Sequence, residues 1–222
     1  MYPFFWFWFS LAALTLLIVF FDLKHSILRD TSTAQHKPYS FARVQLAWWT
    51  IIVFSSLIAI LTLKNSIPTF SESILVLLGI SSATTAAARV IDVADQKNAD
   101  IVPIQNDESE NFLLDILSDG NGVSMHRFQT AVLNIIFGVW FICAVLDHLT
   151  QFLNNVPYFA GNISNILPVF DSNNLILLGL SSGTYTALKI AENKTPQQQA
   201  TPNTQPAAVP DESVTNTTHA EG

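Results

Sequence analysis

The chain reads as an all-α membrane protein with five transmembrane helices, an N-terminal anchor followed by two parallel-repeat helical hairpins. Three observations predict this. Half of the 222 residues are hydrophobic and 12% are charged, roughly half the charged share of a soluble globular domain. Five stretches lack Asp, Glu, Lys and Arg: Met1 to Phe21, Val44 to Leu63, Ser73 to Ala88, Phe128 to Leu146 and Ser172 to Leu188. Each reaches or approaches the length at which a helix crosses hydrocarbon, the third and fifth being the shortest. Finally, the chain repeats itself. PTFSESILVLLGISSATTAAARVID from Pro68 returns as PVFDSNNLILLGLSSGTYTALKIAE from Pro168, at an offset of 100 residues. SFARVQLAWWTIIV from Ser40 is matched by SMHRFQTAVLNIIF from Ser124. The repeated unit is therefore a whole hairpin.

Residues 1–23 form the anchor. No basic segment precedes its apolar run and no small-residue cleavage site follows, so it is expected to be retained, with Phe4, Phe5, Trp6, Phe7, Trp8 and Phe9 in an interfacial aromatic belt. Residues 24–92 are the lead-in and first hairpin. Residues 93–122 are an acidic linker in which Phe112, Leu113, Ile116 and Leu117 fall on one side of a short amphipathic helix, lying at the headgroups or capping the bundle. Residues 123–192 are the second hairpin, whose outer loop, His148 to Asp171, is longer than that of the first and is expected to fold against the membrane surface or the bundle. Residues 193–222, rich in Pro, Gln, Thr and Asn, are expected to be a disordered tail.

Basic residues alternate by loop. Lys24, Arg29, Lys37 and Arg43, then Arg89, Lys97 and Arg127, then Lys189 and Lys194 lie on one side, and only Lys64 on the other. The positive-inside rule puts the N-terminus outside and the C-terminus in the cytoplasm. Both hairpins then run in the same direction, as repeats about an axis along the membrane normal. The net charge of −7 resides in the linker and tail and reads as a solvated surface.

Small residues recur at intervals of four in the third and fifth spans, as Gly79, Ala83, Ala87 and as Gly179, Gly183, Ala187. Such stripes let helix backbones approach closely, and helix packing is their preferred reading. Ser81, Thr84, Ser181 and Thr184 lie on the roughly opposite face. Interhelical hydrogen bonding is the plain reading of these hydroxyls, and a polar permeation path the alternative. Arg43 with Gln45, and Arg127 with Gln129, open the second and fourth spans behind the cap residues Ser40 and Ser124, and read as interfacial anchors. Cys143 reads as a small packing residue.

Several chemistries find no support. Asp115, Asp119 and Gly120 echo a calcium loop, but Leu117 and His126 occupy positions that require an acid. The five histidines are scattered without metal-site spacing. No ionisable residue sits in the middle of a span, as proton-coupled transporters and intramembrane hydrolases require.

SxxRxQ at Ser40 and Ser124, LLGISSATT at Leu77, FLLDILSDGNG at Phe112 and LLGLSSGTY at Leu177 resemble a recurrent, uncharacterised family of bacterial integral membrane proteins with repeated SxxRxQ and LLGxSSxT hairpins. The similarity runs over roughly residues 21–192. It implies a bacterial inner-membrane setting and transfers no activity or site residues. The expectation is a non-enzymatic membrane protein for assembly or anchoring, without catalytic residues, metal or cofactor. Its expected partners are lipid, a second copy of itself and a cytoplasmic protein, and no nucleic acid. A small channel is the alternative.

Overall fold

A computed structural model of the chain describes residues 2–30, 35–64, 68–97, 109, 111–119, 122–159 and 163–192. The tail from residue 193 and most of the acidic linker lie outside them. Among the described residues the chain is helical apart from one short turn of strand: α1 Tyr2–His25, α2 Phe41–Lys64, α3 Glu72–Gln96, α4 Phe112–Leu117, β1 Ser118–Asp119, β2 Gly122–Val123, α5 Met125–Leu153, a 3-10 turn Ile163–Ile166 and α6 Ser172–Glu192.

Four helices are long and apolar enough to cross a membrane, namely α1, α2, α3 as far as Ala94, and α5, with mean hydropathies of 2.3, 2.2, 1.8 and 2.0. By this measure four of the five expected spans are found. The fifth candidate, α6, is diluted by Asn173 and Asn174 at its start, by its hydroxyls, and by Lys189 near its end.

Helix α1 is apolar all round and buries only Pro3, Phe7, Ser10 and Asp22, leaving the rest of its surface to the surroundings. Pro3 is tolerated because the first turn needs no N–H donor. Lys24 and His25 complement the dipole of the last turn. The helix stops at Ser26, whose φ of 55° lies in the left-handed region, and its N–H donates to Asp22 O at 2.7 Å. Asp22 then accepts from Leu28 N at 2.9 Å, which folds the chain back toward α2. Ser124 stands at the N-cap of α5, but its hydroxyl meets the His126 ring, 2.7 Å from Nδ1, and makes no cap bond.

Helix α1 lies along α2; α2 pairs with α3, α5 with α6, and α3 with α6 and α2 with α5 close a four-helix ring. The core inside it comprises Trp49, Ile52, Ile60, Leu77, Phe141, Val145, Leu149, Phe170 and Leu178, with Phe7 contributed by α1. Phe170 stacks on Phe141 at 5.7 Å and meets Trp49 and Trp140 edge-on at 5.9 and 5.1 Å. Lipid tails are as apolar as these side chains, so dense packing holds the ring together more than removal from water does.

The long loop of the second hairpin folds onto the bundle. Ile166 and Leu167 are buried, Ile166 O accepts from the His148 ring at 3.0 Å, and Phe170 N donates to Ser73 Oγ at 3.1 Å. Thr69 Oγ1 donates to Ser164 Oγ at 2.9 Å, so the hairpins are tied together at this end. At the other end α4 covers the bundle. Asn111 caps it by accepting from Leu114 N, and Ile116 is buried beside Phe41, Ala42, Ala88 and Tyr185.

Candidate functional site

The charged end of the ring holds a buried ion cluster. Lys189, in the last turn of α6, places Nζ 2.8 Å from Asp92 Oδ1 of α3 and 3.3 Å from Asp30 Oδ2 of the α1–α2 connection. The Lys189 side chain is 5% exposed and that of Asp92 1%. Each charge alone would be costly to withdraw from water, and together they are stable only because opposite charge is in contact. Residues far apart in sequence therefore clamp α3, α6 and the first loop at one point. Arg127 lies beside the cluster with its guanidinium 5.4 Å from the centre of the buried Tyr185 ring, whose other neighbour is Phe41 at 4.9 Å. Arg43 donates to Ile27 O at 3.3 Å, and Arg29 caps the Tyr39 ring at 4.4 Å while donating to Lys37 O. Arg43 thus ties the connection between α1 and α2 to the start of α2, and Arg29 braces the connection internally.

Deeper in the ring runs a set of uncharged polar contacts. Gln45 Nε2 of α2 donates to Ser182 Oγ of α6 at 3.1 Å, and Thr85 Oγ1 of α3 donates to Ala42 O at 3.1 Å. Thr130 of α5 meets Ser181 of α6 at 2.6 Å. Asn134, 5% exposed in α5, accepts from Trp49 Nε1 at 2.8 Å and donates to Thr130 O at 2.8 Å, while its backbone carbonyl accepts from Trp48 Nε1 at 3.1 Å. Asn134→Leu is expected to cost about 1 kcal/mol, the usual worth of such a bond between membrane helices, by leaving the Trp49 N–H without its acceptor. Thermal unfolding in detergent micelles would measure it; no loss would mean that Trp49 re-pairs.

The residues singled out from sequence are distributed over three places. Ala83 and Ala87 of α3 line one groove of about 450 Å³ with Gly179, Gly183 and Ala187 of α6. Equivalent positions of the two helices thus stand side by side, and the helices run parallel. Gly79 and Gly183 have open space where a Cβ would be, so at those two positions the helices do not touch. Of the hydroxyls, Ser81 is fully buried, Thr84 lines the groove and bonds back to Ile80 O, Ser181 is held by Thr130, and Thr184 is exposed and bonds to Leu180 O. Ser181 and Thr184 share a smaller pocket of about 110 Å³ with Gln129, whereas Thr84 lines the groove between α3 and α6. Of the four expected anchors, Arg43 is half-buried and Gln129 exposed, whereas Gln45 and Arg127 are 4% and 9% exposed, inside the bundle. Cys143, expected in the packing, faces outward.

Sequence reasoning missed Lys189, Asp92 and Asp30 as a unit, because Lys189 read as a boundary charge and neither acid was singled out. It missed Asn134 because only ionisable residues and repeated hydroxyls were singled out within spans; an amide in an apolar run is the signal that marks it. Among the described residues no group of three or more His, Cys, Asp or Glu is arranged to hold a metal ion. Comparison of the chain with protein-family models, with curated proteins and with solved structures finds no match.

Proposed function

We propose that the chain is a non-enzymatic integral membrane protein of a bacterial inner membrane, serving assembly or anchoring, with its N-terminus outside and its charged end and tail in the cytoplasm. The observation that carries the reading is the closed interior. The space within the four-helix ring is filled by Trp49, Phe141, Phe170 and Leu178, and Gln45, Asn134 and Thr130 pair across helices with Ser182, Trp49 and Ser181. Such a filled interior favours packing over permeation. In this reading α6 completes the second hairpin as a fifth crossing, because Ser181 and Ser182 are engaged by α5 and α2 and so need no water. The two hairpins are parallel repeats, as the side-by-side Ala83, Ala87 and Gly183, Ala187 suggest. Function then lies on outward surfaces, with the tail reaching a cytoplasmic protein and the bundle free to self-associate.

Wild-type protein in proteoliposomes is expected to leave ion and small-solute leakage at the level of empty vesicles. The chain cut after residue 192 is expected to insert and melt like wild type, while leaving the cross-linked complex that the full chain forms in its native membrane. A flux abolished by Ser181→Leu in a folded variant would replace this reading with the channel. A complex unchanged by the truncation would remove the tail's role.

A further inference from the structure

The short helix α4 has its polar and apolar sides used in an unusual way. Its only acid, Asp115, is turned inward, where Oδ2 accepts from Tyr39 N at 3.1 Å and from Ser109 Oγ at 2.6 Å. Ile116 is buried against Phe41, Ala42, Ala88 and Tyr185. What remains outward is apolar: Phe112 is 43% exposed and Leu113 62%. A short helix on a water-facing surface shows the opposite arrangement.

The exposed apolar surface does not end with α4. Leu117 O accepts from Ser124 N at 2.9 Å, and β1 pairs antiparallel with β2, so Val123, at 63% exposure, stands beside the end of the helix. Met125 and Phe128 follow in the first turn of α5, with exposures of 76% and 47%. From Phe128 the same helix face continues through Ile135, Ile136 and Val139, all exposed. That face belongs to a helix long and apolar enough to cross a membrane. The patch on α4 is thus continuous with a surface whose surroundings are acyl chains.

We infer that α4 and the paired strands β1 and β2 form an apolar apron seated in the lipid headgroup region of one leaflet, with Phe112, Leu113 and Val123 reaching the acyl boundary. Interfacial elements of this kind bury their apolar face by about 5–10 Å. The ties through Asp115 and Ile116 hold the apron at a set height against the bundle. This rests on the membrane reading above and adds to it a partner for α4, the lipid surface, distinct from any protein bound by the tail.

Nitroxide labels at Leu113→Cys and Val123→Cys, in full-length protein carrying Cys143→Ala, test it in vesicles of phosphatidylethanolamine and phosphatidylglycerol. The exposed Lys97→Cys, at the same end of the bundle, serves as the water-facing reference and Ile135→Cys as the lipid reference. Labels at 113 and 123 are expected to collide with dissolved oxygen severalfold more, relative to a water-soluble nickel chelate, than the label at 97. Nickel access at both sites equal to that at 97 would overturn the apron. So would low access to both reagents, which marks a contact with a second copy. A label at 135 that meets nickel freely would bring down the membrane reading itself, and the apron with it. The Val123 site lies outside the helix, so failure of one variant to fold leaves the other to decide.

Discussion

Lys189→Ala is expected to lower the stability of the folded bundle by about 3–5 kcal/mol, the cost of removing one partner from a buried ion pair. The size follows from what is left behind. Asp92 is 1% exposed, whereas Asp30, at 12%, lies nearer the surface. The stranded Asp92 charge, not the lost attraction, supplies most of the penalty. Asp30→Asn should therefore be much milder than Lys189→Ala, since Lys189 keeps Asp92. Replacing the inner pair together, as Lys189→Met with Asp92→Leu, should recover most of the loss, because a well-packed apolar pair often matches a buried ionic one. Unfolding of wild type, Lys189→Met, Asp92→Leu and the double variant in one detergent gives the coupling by a double-mutant cycle. A single Lys189→Ala variant as stable as wild type would show that water enters the charged end. A double variant no better than the single one would assign the cluster to something other than electrostatic pairing.

How far the fold was legible depends on the range over which each signal acts. Runs without charge identified α1, α2, α3 and α5, because the cost of a charge in hydrocarbon acts on each helix by itself. The apolar spacing at Phe112, Leu113, Ile116 and Leu117 located α4, but not which side it would present. Ile116 is buried while Leu113 faces out, since Asp115 anchors the helix from within. The small-residue stripes led to a shared groove between α3 and α6, though not to its openness at Gly79 and Gly183. The ion cluster was illegible for a plainer reason. Asp30, Asp92 and Lys189 are joined only by the closure of the helical ring, and Lys189, counted by loop, looked like a topology signal alone. The repeat also misled, by suggesting equal roles for equal positions. Gln45 is inside and its counterpart Gln129 outside, while Arg43 is half-exposed and its counterpart Arg127 buried on Tyr185. Two hairpins sharing one bundle have different neighbours once α1 and α4 are added.

The same divergence makes Gly138 the glycine on which the bundle depends most, although it belongs to no stripe. In the second hairpin it stands where the first has Phe54, an exposed residue. The Trp48 indole of α2 lies in the space a side chain at 138 would fill, and a Cβ added there would run into its ring. Two effects oppose each other in Gly138→Ala. The helix gains about 1 kcal/mol from the better backbone propensity of alanine, and the collision with a rigid ring costs about 1–3 kcal/mol. The net loss should therefore be small. Gly138→Leu adds bulk without further propensity and is expected to destabilise by about 3 kcal/mol, toward the upper end of overpacking costs. Trp48 would have to leave, breaking its 3.1 Å bond to Asn134 O and loosening the contact between α2 and α5. Trp48→Ala combined with Gly138→Leu should regain much of that stability, since the leucine then occupies the space of the indole. If the double variant unfolds as readily as Gly138→Leu alone, the clash is not with Trp48, and the close fit of α2 on α5 is not what holds the two hairpins together.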